Sequence, residues 1–90
     1  MSHAVVLQVQ LPADDPEADE RMLKEMVIPQ AKAQPGFEKG IWMRSADGTG
    51  MGIAVFANEE AATAAADVLK PPPGGPPLLS STLYEVGAEA

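Results

Sequence analysis

Apolar and polar residues alternate from the start of the chain. From His3 to Leu11 the odd positions His3, Val5, Leu7, Val9 and Leu11 make a largely apolar side, and Gln8 and Gln10 fall on the other. A period of two predicts a strand with one buried face, and Pro12, with no N–H to give a ladder, ends it. The period then changes. Asp14-Asp15-Pro16-Glu17 is a helix start: Asp14 can cap, Pro16 suits the first turn, Glu17 completes a capping box, and the carboxylates complement the helix dipole. Met22, Leu23, Met26 and Val27 follow at helical spacing as the buried stripe. Pro29 should kink or end the regular helix, leaving Ala31 and Lys32 in a last turn before Pro35-Gly36 stops it.

The middle of the chain reads as a hairpin. Phe37 to Ala46 is a strand with Ile41 and Met43 on one face and Trp42 and Arg44 on the other. Asp47-Gly48-Thr49-Gly50 supplies the turn, with glycines where positive φ is needed. Met51 to Phe56 returns, carrying Gly52 and Ala54 beside Phe56 on one face and Met51, Ile53 and Val55 on the other. The small residues leave room for a close backbone approach or a cavity. Asn58-Glu59-Glu60 then caps a second helix, in which Ala62, Ala65, Ala66 and Leu69 recur at i, i+3, i+4 and i+7. Such an Ala-rich stripe lets a helix sit close on a sheet. Pro71 to Pro77 (P-P-P-G-G-P-P) excludes helix or central strand, and Leu78 to Val86 forms the last strand.

The order β-α-β-β-α-β predicts an α+β, ferredoxin-like fold: an antiparallel sheet with two helices on one face, in a single domain spanning 1–90. The other sheet face is expected to carry Trp42, Phe56 and Val6, with Tyr84 or Leu83. That is too apolar to face water, so a second copy is expected to cover it as a homodimer. The thin core points the same way, since Phe37, Trp42, Phe56 and Tyr84 are the only aromatic residues.

Charge and composition narrow the partners. A net charge of −7 with six scattered basic residues argues against nucleic acid and anionic membrane surfaces, which need Lys/Arg clusters. Without cysteine there is no disulfide framework, Cys-ligated zinc or thiol nucleophile. No metal is expected: the acidic run Asp14 to Glu20 sits where helix-start carboxylates belong, and no spacing resembles a metal-binding loop. The first residues lack the charged and apolar regions of a signal peptide, and no run has transmembrane length, so a cytoplasmic location is expected.

Several short motifs together are similar to one family. Gln34-Pro35-Gly36-Phe37 leads into the second strand, Ile41-Trp42-Met43-Arg44 follows, Val55-Phe56-Ala57-Asn58-Glu59-Glu60-Ala61-Ala62 opens the second helix, and Leu83-Tyr84-Glu85-Val86 comes late. The chain thereby resembles the dimeric α+β barrel superfamily, and within it the antibiotic-biosynthesis-monooxygenase-like (ABM) domains. The resemblance implies dimers whose two sheets enclose a barrel. In some members phenols or quinols are oxidised by O₂ with no added cofactor; others degrade haem, and many have no known activity. By similarity, Trp42, Arg44, Asn58 and Tyr84 correspond to residues lining the monooxygenase cavity. The haem-degrading branch uses a helix-borne His, whereas the sole His here is His3 on the first strand. No cofactor is therefore expected, and a small aromatic is the candidate ligand.

Each candidate has two readings. Trp42 either fills space between two sheets or forms an aromatic wall whose indole stacks on a flat ligand. Arg44, two residues on and on the same face, either forms an edge ion pair or stabilises a phenolate oxyanion. Asn58 either caps the second helix or binds ligand. Tyr84 either packs with its hydroxyl at the rim or donates to a ligand. Gln8 and Gln10 either face water or supply polar groups to a barrel interior that Phe56 would also line. Two functions follow: a cofactor-independent oxygenase of the ABM type, with Trp42 and Arg44 at its centre, or a non-catalytic dimeric α+β barrel.

Overall fold

A computed structural model describes residues 1–11, 16–71 and 76–89, with the backbone alone for Pro16 and Asp19. The expected cap at Asp14, the strand stop at Pro12 and the centre of the proline-rich run lie outside the described residues. Four strands form one antiparallel sheet: β1 (His3–Gln10), β2 (Phe37–Arg44), β3 (Thr49–Phe56) and β4 (Leu78–Glu85), in the order β2-β3-β1-β4. This is the ferredoxin-like order that the pattern of periods predicts. The strands begin and end within a residue or two of their expected limits.

Register assigns the faces. Val5 stands opposite Ala54, Leu7 opposite Gly52 and His3 opposite Phe56, and on the other side of β3 Phe37 meets Phe56 and Trp42 meets Gly52. Directly opposed residues share a face. One face therefore carries His3, Val5, Leu7, Phe37, Trp42, Ala54 and Phe56. Val5, Ala54 and Phe56 join Ala31, Ala62, Ala65 and Leu69 from the helices in the core, so both helices cover this face. Phe37 and Phe56 pack edge to face, with centroids 5.8 Å apart and planes at 73°.

This corrects one expectation. Trp42 and Phe56 lie beneath the helices, and Leu83, opposite Val5, is on their side too. Val6 and Tyr84 are on the uncovered face as expected, with Ile41, Met43, Met51 and Ile53. The alternation along each strand holds, but alternation alone does not say which face a helix takes.

The second helix, α3 (Glu59–Val68), starts as predicted: the Asn58 side-chain oxygen accepts the Ala61 N–H at 2.8 Å. Ala62 and Ala65 are fully buried, and without bulk beyond Cβ they bring α3 close to the sheet. The first helix is less regular. It runs as α1 (Pro16–Met22), a π-helical turn (Leu23–Val27) and α2 (Ile28–Lys32) without leaving the helical path. Pro29 has no N–H and its ring crowds the carbonyl four residues back; the wider π-turn just before it relieves that conflict, so the helix continues instead of breaking. None of Leu23 to Val27 is fully buried, and Met26 is exposed, contrary to its place in the predicted stripe.

The hairpin turn spans Ser45 to Gly48. Gly48 has φ +91°, as the turn requires, whereas Gly50 has no positive φ and lies inside β3. Thr49 donates its N–H to the Asp47 carboxylate at 3.0 Å, and the Ser45 hydroxyl donates to the same carboxylate. These bonds, Ser45 first, hold the Asp47 carboxyl below its usual range. At the other end of the sheet the tail folds back. The Val86 N–H bonds the Ser2 carbonyl, and Glu89 pairs with Lys39 at 2.6 Å. Tyr84, Ala4, Val55 and Lys39 form one row across the uncovered face. Ala4 and Val55 are buried in this row, while Tyr84 at its end is exposed.

Candidate functional site

The indole of Trp42 lies flat on the sheet. Its neighbour on the same strand face, Gly40, and its cross-strand partner, Gly52, both lack the side chain that would lift it. A Cβ at Gly40 would come 2.7 Å from the ring carbon Cη2, and one at Gly52 would come 2.7 Å from Nε1. The room expected beside Gly52 exists, and Trp42 fills it.

Above the indole, the first helix and edge strand β2 leave an open groove of about 480 Å³, large enough for a small aromatic molecule. Its floor is Phe37, Gly40 and Trp42, and its wall is Leu23 and Ile28 from the helix. Among the described residues of that helix, Ala31 is the one in the core, so the helix stands off the sheet edge where the groove lies. Polar groups ring the opening. Glu20, Lys24 and Lys32 come from the helix, and Lys39 and Ile41 from the outer edge of β2. Lys24 is 2.9 Å from Glu20, one helical turn earlier, and its hydrogen bond and charge hold the Glu20 carboxyl below its usual range.

The predicted site residues do not gather in one place. Trp42 forms the groove floor. Arg44 shares its strand face but lies nearer the hairpin, opposite Gly50, outside the groove lining. Phe56 is fully buried in the core, and Asn58 is occupied as the cap of α3. Gln8 and Tyr84 stand on the uncovered face, across the sheet from the groove. His3 is held between the Met1 carbonyl at 3.1 Å and the Glu59 carboxylate at 3.6 Å. Among the described residues no cluster of His, Asp or Glu suits a metal ion, and no helix is long and apolar enough to cross a membrane.

Lys24, Lys32, Leu23 and Ile28 were missed as site residues. Leu23 and Ile28 are five apart, a spacing that faces one way only across a π-turn. The available signal was Pro29 inside an otherwise helical stretch.

No protein-family profile and no curated protein matches the chain by sequence. Solved structures do match it. The cofactor-independent oxygenase SnoaB from Streptomyces nogalater, seen as a point mutant, superposes with a TM-score of 0.69 at 15% identity, covering 98% of this chain and 95% of that one. Rv0793 from Mycobacterium tuberculosis gives 0.63 at 17% identity, covering 100% and 99%. A protein from Shewanella loihica assigned as a monooxygenase gives 0.63 at 21% identity, covering 99% of each. The chain has the α+β fold of these proteins. Identities this low carry the fold and leave the chemistry to be argued from the groove.

Proposed function

We propose that this protein is a cofactor-independent oxygenase of the ABM type, acting as a homodimer on a flat, electron-rich phenol or quinol bound over Trp42. The observation that carries the reading is the indole laid flat by Gly40 and Gly52 as the floor of an apolar groove. A planar ring stacks on such a floor without displacing protein atoms. The reaction needs a substrate that supplies its own electrons. Loss of a proton gives a carbanion at a ring methylene in its keto form; that carbon adds O₂ to give a hydroperoxide. Loss of water then leaves a carbonyl, so one oxygen stays on the ring and the other departs as water. In this reading Trp42 holds the ring, and the apolar wall of Leu23 and Ile28 flanks it. Arg44 adds positive potential from the hairpin end of β2, without direct contact.

The homodimer rests on the uncovered face, where Ile41 is 58% and Met43 46% exposed beside Met51, Ile53 and Val6. That face also supports the second reading, a non-catalytic barrel in which Gln8 and Tyr84 meet a ligand between two sheets.

Substrate-dependent O₂ uptake on a panel of quinols and naphthols separates the two. Trp42→Ala should lower kcat/KM by about tenfold or more, corresponding to roughly 1.4 kcal/mol of lost stacking in the transition state, with a smaller loss in Trp42→Phe. Arg44→Ala should lower kcat/KM less than Trp42→Ala. Rates unchanged in all three variants would overturn the reading. Sedimentation at micromolar concentration should show the dimer.

A further inference from the structure

An open sheet has two edges, and this one guards them unequally. The outer strands are β2 and β4. β2 carries Glu38, Lys39 and Arg44, and its register slips between Phe37 and Lys39. Charges and an irregular register are what keep an edge from recruiting another strand. β4 has no charge from Leu78 to Tyr84 and no proline within it. All eight of its residues are exposed, including Leu79 at 53% and Leu83 at 41%. Its inner side pairs with β1, and no described strand pairs with its outer side. Such a row of backbone N–H and C=O groups is a template for one more strand.

The residues along β4 say which strand fits. Outwards from Ser81, each direction gives a hydroxyl residue and then a leucine: Ser80 and Leu79 one way, Thr82 and Leu83 the other. An identical strand running antiparallel, related by a two-fold axis at Ser81, therefore sets like against like. Ser81 meets the partner's Ser81, Ser80 meets the partner's Thr82, and Leu79 meets the partner's Leu83. Opposed hydroxyls hydrogen-bond and opposed leucines shield each other from water. A two-fold contact requires this kind of self-complementarity. Ser80 and Thr82 stand opposite Gln8 and Val6 on the uncovered face, so that pair shares a face across the axis. The slip of β4 against β1, between Gln8 and Val9, falls at Leu79 and ends the match there. Glu85, the first acidic residue of β4, then stands opposite the partner's Pro77, which keeps the carboxylates of the two strands apart.

We propose that β4 is an interface with a second copy of this chain, paired antiparallel with its counterpart about Ser81 so that two sheets join edge to edge. The interface is separate from the uncovered face and rests on neither functional reading.

Only Ser81 faces its own copy, and the test uses that. Ser81→Lys and Ser81→Glu each put like charges on the axis, whereas an equal mixture of the two puts opposite charges there. In sedimentation at high micromolar concentration and low salt, each variant alone should have half the mass of the natural chain. The mixture should recover the full mass. If the sheet faces also pair, the fall is from four chains to two; if they do not, it is from two to one. Raising the salt should strengthen the natural pair, by screening the net charge of −7 on each chain, and weaken the mixed one. Thr63→Lys, at an exposed position on α3, should change nothing. Unaltered tryptophan emission checks that the Ser81 variants are folded. A mass unchanged by either charge overturns the proposal and leaves the edge to a strand of another protein. A loss in both variants that mixing does not repair overturns it as well, because no axis then passes through Ser81.

Discussion

On one side of the sheet's covered face, α3 lays Ala62 and Ala65 directly on Val5, Ala54 and Phe56, with no space between. On the other side, among the described residues, the helix from Pro16 to Lys32 gives that core only Ala31, and a groove opens over Trp42. Both helices follow a strand and lie on the same face of the sheet. They differ in the width of what they present. Methyl groups at i and i+3 bring a straight helix down to contact, whereas a π-turn ahead of a proline turns larger residues sideways. Close packing stabilises the fold; the stand-off leaves a place for a ligand.

Three changes would test that contrast, starting with the largest effect. Ala65→Leu puts three more carbons where there is no gap, and should cost about 1–3 kcal/mol by chemical denaturation, more than Ile28→Phe, whose side chain can enlarge into the groove. If Ile28→Phe costs as much as Ala65→Leu, the groove side is as tightly packed as the α3 side and the contrast fails. A smaller effect is expected from Gly52→Ala. Its new Cβ would lie 2.7 Å from the indole nitrogen, so Trp42 must tilt into the groove. Stability should fall by about 1 kcal/mol, while tryptophan emission shifts to the red and ligand quenching weakens. An unchanged emission spectrum would mean that the indole is not held by the two glycines.

The smallest effect is that of acid on the stand-off helix. Glu20 has its pKa lowered below the ordinary 4.5, by the Lys24 hydrogen bond first and by its charge second. A lowered folded value means that the pair stabilises fully above the ordinary value, and that this is lost as pH falls through the lower folded one. Glu20→Gln should therefore weaken the helix slightly at neutral pH and not at all in strong acid. Amide exchange along Pro16–Met22 would show it, and α3 should not respond. Equal sensitivity in both helices would deny the local origin of the pair.

The sequence carried the strands and α3 well, because period-two alternation, the Asp-Gly turn and the Asn58 cap are each fixed by neighbouring residues. It carried the faces poorly. Which side of the sheet receives Trp42 depends on where a helix dozens of residues away comes to rest. The groove was harder still. Gly52 signalled room, but that room belongs to the indole, and the wall of Leu23 and Ile28 depends on a helical irregularity that no apolar spacing announces. Of the residues singled out in advance, Trp42 lies at the groove, Arg44 stands beyond its end, and Asn58 and Phe56 do structural work nearby.

The tail that ends at Glu89 has a geometric consequence for assembly. It is tied to Lys39 at the end of the sheet away from the hairpin, and the rows through Val6, Ile53 and Ile41 and through Gln8, Met51 and Met43 lie beyond that tie. In the proposed face-to-face pair, a second sheet would meet those rows, which run through the middle of the strands and towards the hairpin. The Glu89–Lys39 tie would limit how far such a partner could extend towards that end of the sheet.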